Sequence, residues 1–143
     1  MEKACYRKLR NYKYELKGDY ALGIPIVGCD VRTEYIDLDS DGRLLMKDRY
    51  AWDGATDPAR DTLTVMRASL VHDALYQLMR LGELDPDEHR LTADRIFRDI
   101  CLEDGMCAFR AHYSFLAVRW FGGRHARQSD DAADVVFCVP PGD

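Results

Sequence analysis

Thr62-Leu63-Thr64-Val65-Met66-Arg67-Ala68-Ser69-Leu70-Val71-His72-Asp73-Ala74-Leu75-Tyr76-Gln77-Leu78-Met79-Arg80-Leu81 is the stretch whose reading decides the fold class. Leu63, Met66, Leu70, Ala74 and Leu78 recur every three or four residues, with Val71, Leu75 and Met79 beside them, which is the stripe of an amphipathic helix. Gly82 is a natural C-terminal stop. On the other side Ser69, His72, Asp73, Tyr76 and Arg80 follow at i, i+3, i+4, i+7 and i+11, so functional groups share one face.

Downstream, two more helices are expected. Asp85-Pro86-Asp87-Glu88 reads as a start signal: Asp85 caps, Pro86 takes the first helical position and Glu88 can close a capping box. The second helix has an apolar face of Ala93, Ile96, Phe97, Ile100 and Cys101, and Gly105 ends it. The third, about Met106 to Phe121, presents Phe109, Tyr113, Leu116 and Trp120. Short connections make the helices antiparallel neighbours. Residues 123–143 read as a polar tail with a short strand at Val135-Val136-Phe137-Cys138-Val139.

Upstream the pattern changes. Tyr20 to Val27 reads as strand interrupted by Gly23 and Pro25. Val31 to Leu38 and Leu44 to Trp52 flank Asp39-Ser40-Asp41-Gly42, a hairpin turn with Gly42 at a positive-φ position. Asp37-x-Asp39-x-Asp41-Gly42-x5-Asp48 also fits the calcium-loop template of an EF-hand, but strand-like flanks stand where helices are required, so the hairpin is the better account. The expected fold is α+β, an N-terminal antiparallel hairpin region packed on a three-helix bundle. It is read as a single domain over 1–143, β-rich in 1–60 and helical in 61–122.

Composition narrows the partners. A chain of 143 residues, 47% hydrophobic and 31% charged, can bury a core and is ordinary for a globular protein. Its net charge of -5 gives no general electrostatic reason to bind DNA or anionic lipid. No run approaches the roughly 20 apolar residues of a membrane span, and the charged N-terminus lacks a signal-peptide core. Five scattered cysteines without a C-x-x-C pair argue against structural zinc and for a reduced, cytoplasmic protein. Arg110, Arg119, Arg124, His125 and Arg127 cluster late, near Tyr113 and Trp120; a solvated helix end is the default reading, a nucleic-acid or partner surface the other.

The candidate chemistry sits on the first two helices. Arg90, Asp94 and Arg98 form a row at i, i+4, i+8, and antiparallel packing brings Asp94 within reach of His72. A carboxylate bonded to one imidazole nitrogen leaves the other free to accept a proton, the geometry of an oriented general base. The bland alternative is a surface ion pair of Arg90 and Asp94 beside a satisfied helix histidine.

Two resemblances bear on this. Trp52-Asp53-Gly54-Ala55-Thr56, Ser69-Leu70-Val71-His72-Asp73-Ala74-Leu75-Tyr76-Gln77-Leu78-Met79-Arg80, Arg90-x-x-Ala93-Asp94-x-x-Phe97 and Ala117-Val118-Arg119-Trp120-Phe121-Gly122 together look like a family of uncharacterised proteins common in bacteriophage and prophage genomes. Within this pattern, His72-Asp73-x-x-Tyr76 followed by Asp94 is similar to the core of secreted phospholipase A(2) enzymes. That resemblance implies His72 as the base, Tyr76 and Asp94 as its orienters, and Asp73 as a calcium ligand, with backbone carbonyls around Trp52, Asp53 and Gly54 completing the site. The chain departs from those enzymes in having only Gly54 where they carry a glycine-rich loop, and in lacking their cross-linking cysteines.

Two functions are therefore expected, in this order. The first is a non-catalytic virion or assembly component of a bacteriophage or prophage, acting with other phage proteins and with no cofactor. The second is a calcium-dependent phospholipase A(2)-like ester hydrolase acting on phospholipid through the His72/Asp94 pair.

Overall fold

The computed structural model describes residues 6–8, 14–52 and 63–127. The fold is α+β. Its chain divides into two compact units after Asp53: the strands lie in the first, and the helices within Gly54–Ser129 form the second.

The strand unit holds two small antiparallel sheets. One runs β1 (Tyr6–Lys8), β2 (Tyr14–Leu16), β7 (Ala51–Trp52); the other is ordered β3 (Tyr20–Gly23), β6 (Arg43–Met46), β5 (Ile36–Leu38), β4 (Val31–Arg32). In the second sheet Ile36 pairs with Met46 and Leu38 with Leu44, all buried, while Asp37 and Leu45 between them are half-buried. This two-residue alternation is what one buried face demands. The expected turn at Asp39-Ser40-Asp41-Gly42 is present: Gly42 N donates to Asp39 O, and Gly42 has φ +89°. Asp39 Oδ1 accepts from Asp41 N at 3.0 Å and Arg43 N at 2.9 Å, while Asp48 Oδ1 accepts from Gly18 N at 2.7 Å. These carboxylates of the EF-hand-like pattern cap backbone, as hairpin residues do.

The run Leu44 to Trp52 is not one strand. It breaks at Lys47-Asp48-Arg49-Tyr50, where Tyr50 N donates to Lys47 O and Arg49 takes φ 76°. Mutual capping explains the break: Asp48 N donates to Asp19 Oδ1 at 2.7 Å, and Leu16 and Tyr50 are joined through their backbones. The turn hands the chain from one sheet to the other, and β7 then pairs with β2.

The helical unit is α1 (Leu63–Arg80), α2 (Pro86–Glu103) and α3 (Ala108–Arg127). The start of α2 is as expected, with the Asp85 side chain accepting from Asp87 N and Pro86 in the first turn. Side-chain pairs fix the directions. Arg67 meets Asp104, His72 meets Asp94 and Tyr76 meets Arg90, so α1 and α2 run antiparallel. Arg90 reaches the carbonyls of Val118 and Arg119, and Arg98 lies over Phe115, so α2 and α3 do too.

One expectation about α3 is corrected, and the side its aromatic stripe takes is settled. The helix does not stop before Gly122-Gly123 but continues to Arg127. The aromatic stripe faces outward: Phe109, Tyr113, Leu116 and Trp120 are exposed, while Ala111, Ser114, Gly122 and Ala126 are buried. Small residues let the helix approach its neighbours closely, which offsets the roughly 1 kcal/mol that each glycine costs a helix. The expected strand at Val135–Val139 lies outside the described residues.

Candidate functional site

Asp94 is the centre of the site. It sits mid-way along α2 with 0% of its surface exposed, a position where a lone carboxylate would be strongly destabilising. Three side chains compensate it. His72 Nε2 lies 2.7 Å from Oδ1, Tyr76 OH donates to the same oxygen at 2.6 Å, and Arg119 Nη1 donates to Oδ2 at 2.8 Å. His72 and Tyr76 are one turn apart on α1, so both reach the same oxygen from the same face. Arg119 comes from α3.

Burial would raise the Asp94 carboxyl, but the hydrogen bond and charge of His72, then Tyr76 and Arg119, outweigh it and hold the group below the usual carboxylate range. Burial and the Asp94 charge push the Tyr76 phenol the other way, above its ordinary value. Asp94 is thus an anion and Tyr76 a neutral donor. An ionised carboxylate accepts only, so Nε2 of a neutral His72 carries the ring hydrogen and Nδ1 carries the lone pair. Among the described residues Nδ1 has no hydrogen-bond partner, and His72 as a whole is 8% exposed.

A second tier holds these groups. Arg90 Nε donates to Tyr76 OH at 3.1 Å and lies 4.0 Å from Asp94 Oδ2, while its Nη2 donates to Val118 O at 3.1 Å and to Arg119 O. Phe97 closes against the His72 ring with centroids 5.1 Å apart, and Tyr76 does so at 4.1 Å. A Cβ on Gly122 would come 2.6 Å from Tyr76 OH, so only glycine leaves that hydroxyl its place.

The expected site residues are thus distributed unevenly. His72, Tyr76 and Asp94 converge. Asp73 is half-buried on α1, and Trp52 is buried in β7, its ring 5.6 Å from that of Tyr14. Asp53 and Gly54 lie outside the described residues. Ser69 donates back to Met66 O at 2.9 Å, and Arg98 turns to Asp99 rather than to Asp94. Arg90 is no surface pair with Asp94 but the clamp between Tyr76 and α3. Arg119 and Gly122 were not anticipated as site residues. Their only signal was the Arg119-Trp120-Phe121-Gly122 segment, with two glycines inside a helix that continues past them.

Calcium needs six to eight oxygen ligands. No cluster of three or more metal-ligating side chains occurs among the described residues, and Asp73 alone does not make such a site. The expected ligand set, Asp73 with backbone carbonyls around Trp52, Asp53 and Gly54, lies partly outside the described residues. Among them, too, no helix is long and apolar enough to cross a membrane.

No curated protein and no solved structure matches the chain. Residues 50–118, which contain His72, Tyr76, Arg90 and Asp94 but stop short of the end of α3, match the model of an uncharacterised domain family, described as Protein of unknown function (DUF1353).

Proposed function

We propose that this protein is a phage-encoded, phospholipase A(2)-like ester hydrolase in which His72 is the general base. One observation carries the reading: His72 Nε2 lies against a buried carboxylate that also accepts from Tyr76, while Nδ1 has no hydrogen-bond partner among the described residues, so in the neutral ring Nδ1 would be the proton acceptor. That is more than a helix histidine needs for its own satisfaction. Water bonded to Nδ1 would lose a proton to the ring as its oxygen attacks the ester carbonyl, and Asp94 would stabilise the imidazolium formed. The ring would then return the proton to the departing alkoxide, giving a carboxylic acid and an alcohol. Tyr76 and Arg119 would hold Asp94 in place throughout, as positioning residues.

A second reading is supported by Arg119. A carboxylate met by an arginine as well as by His72 and Tyr76 is also what a purely structural network would contain, as in a non-catalytic component of a phage particle or its assembly.

The test is release of fatty acid from phospholipid vesicles and of alcohol from a dissolved short-chain ester, each with added calcium and with chelator. The wild type should turn over at least one of them, and His72→Gln should reduce the rate by about 10²–10⁴-fold, the range typical of a lost general base, while keeping its helical circular dichroism. No turnover by the wild type under any of these conditions, with a large loss of stability in His72→Gln, would favour the particle component.

A further inference from the structure

The largest apolar feature that the site does not use is one side of α3. Phe109 and Trp120 are each 83% exposed, and Tyr113 and Leu116 are each 51% exposed. Large side chains standing in water along one line mark a surface that is covered in use. Their spacing says by what. Phe109, Tyr113, Leu116 and Trp120 are separated by four, three and four residues, which is the d, a, d, a order of a heptad seam. Such a seam interlocks with a second helix crossing at about 20°, the side chains of each seated between those of the other. The chain's own packing uses the opposite side of α3, where Ala111, Ser114, Gly122 and Ala126 are buried.

We infer that two copies of this chain pair through α3, antiparallel about a twofold axis between Tyr113 and Leu116. Phe109 of each copy then packs on Trp120 of the other, and Tyr113 on Leu116. A twofold interface needs a patch complementary to itself. The seam meets that need, because the axis pairs ring with ring at its ends and aromatic with aliphatic at its centre. The antiparallel direction also sets the N-terminal end of each helix dipole beside the C-terminal end of the other, where a parallel pair would oppose like ends.

Area and charge support the pairing. With a whole aromatic side chain at roughly 150–250 Å², the exposed fractions of the four seam residues leave about 500 Å² open per copy. Two copies would cover about 1,000 Å² through the seam alone, the least that a specific interface needs, and exposed His112 and half-buried Ala117 beside it add to that. The two arginines that flank the seam are drawn toward their own bundle and not toward a second copy. Arg119 reaches Asp94 at 2.8 Å, and the charge of Arg110 is felt at the buried Cys101 of α2. The pairing goes beyond the hydrolase reading and requires no turnover.

Sedimentation velocity on the full-length chain, over a series from nanomolar to high micromolar, tests it. The expected result is a shift from the 16.4 kDa monomer to a species of twice that mass. Leu116→Lys sets like charges near the twofold axis and should raise the dissociation constant about a hundredfold or more. Trp120→Ser, which removes a large ring at each end of the seam, should raise it about tenfold or more. Circular dichroism should be unchanged in both, and the Trp120→Ser result stands by itself if Leu116→Lys does not fold. Direction is read in a Cys107→Ser background by oxidising a mixture of Phe109→Cys and Trp120→Cys proteins. The disulfide between positions 109 and 120 should form in preference to that of either position with itself. The inference is overturned by a monomer throughout the series, by assembly past the dimer, by a dimer indifferent to both substitutions, or by disulfides that join position 109 to itself. Ester turnover by a strictly monomeric protein would sink the pairing and leave the hydrolase standing; a dimer without turnover would do the reverse.

Discussion

Gly122→Ala and Gly123→Ala are the same chemical change at adjacent positions, and the structure assigns them opposite signs. In an ordinary helix interior either would stabilise by roughly 0.5–1 kcal/mol through helix propensity. At Gly122 the new Cβ would meet Tyr76 OH at 2.6 Å, Cε2 at 3.0 Å and Cζ at 3.2 Å. Ordinary carbon contacts begin nearer 3.5 Å, so something must yield by most of an ångström. If α3 moves, the overpacking costs about 1–3 kcal/mol. If Tyr76 swings away instead, the buried Asp94 loses a donor, worth about 1.5–3 kcal/mol for a bond to a charged acceptor. Only one of these happens, so after the propensity gain the net is about 1–2 kcal/mol of destabilisation. For a chain of this size that is about 3–10 °C in the thermal midpoint. At Gly123 the new Cβ would meet the Arg90 guanidinium carbon and Nη1 at 3.4 Å, an ordinary van der Waals separation at which the Arg90 clamp need not move. Gly123→Ala should therefore be neutral or raise the midpoint slightly. Thermal melts followed by far-UV circular dichroism read both. A Gly122→Ala midpoint at or above that of wild type would refute the close approach of α3 to Tyr76.

Two further predictions concern ionisation. Because the Asp94 carboxyl is held below the usual range in the fold, its contribution to stability is complete above the unfolded value of about 3.9 and is lost as pH falls through the folded one. Asp94→Asn should lower stability near neutral pH by about 3–5 kcal/mol, since Arg119 then faces no anion, and should flatten the acid limb of the stability profile; a steep acid limb retained in the variant would count against this. Burial, then the Asp104 charge, pushes the Cys101 thiol up to about 12, whereas Cys107 is exposed. At mildly alkaline pH an alkylating reagent should label Cys107 in the native protein and leave Cys101 until denaturant is added, because the thiolate is the reactive form. Equal native labelling of the two would contradict the burial of α2.

How far the sequence could be read differs between elements, for physical reasons. Asp85-Pro86 and Asp39-Ser40-Asp41-Gly42 were legible because a cap and a hairpin turn are local: the residues that form them are also the residues that bond. The His72–Asp94 contact was legible because two polar rows on adjacent helices of known spacing leave few registers. The outward face of α3 was not. Periodicity locates a stripe but does not say whether it packs, and here the packing face is made of Ala111, Ser114, Gly122 and Ala126, whose small size carries little hydropathy signal. The break at Lys47–Tyr50 was hidden as well, since it depends on Asp48 and Asp19 meeting residues about thirty positions away.

The two oxygens of Asp94 are divided between helices: Oδ1 takes its donors from α1 and Oδ2 takes its donor from α3, while the carboxylate itself belongs to α2. A partly opened state with any one helix undocked would therefore leave the buried carboxylate short of donors or its donors without their acceptor. Such a state is raised in energy, so the three helices should open together as one cooperative unit, with mid-helix amides exchanging at closely similar free energies. A single side chain thereby makes a small bundle behave in an all-or-none way, and the imidazole at its centre keeps its orientation for as long as the bundle stays closed.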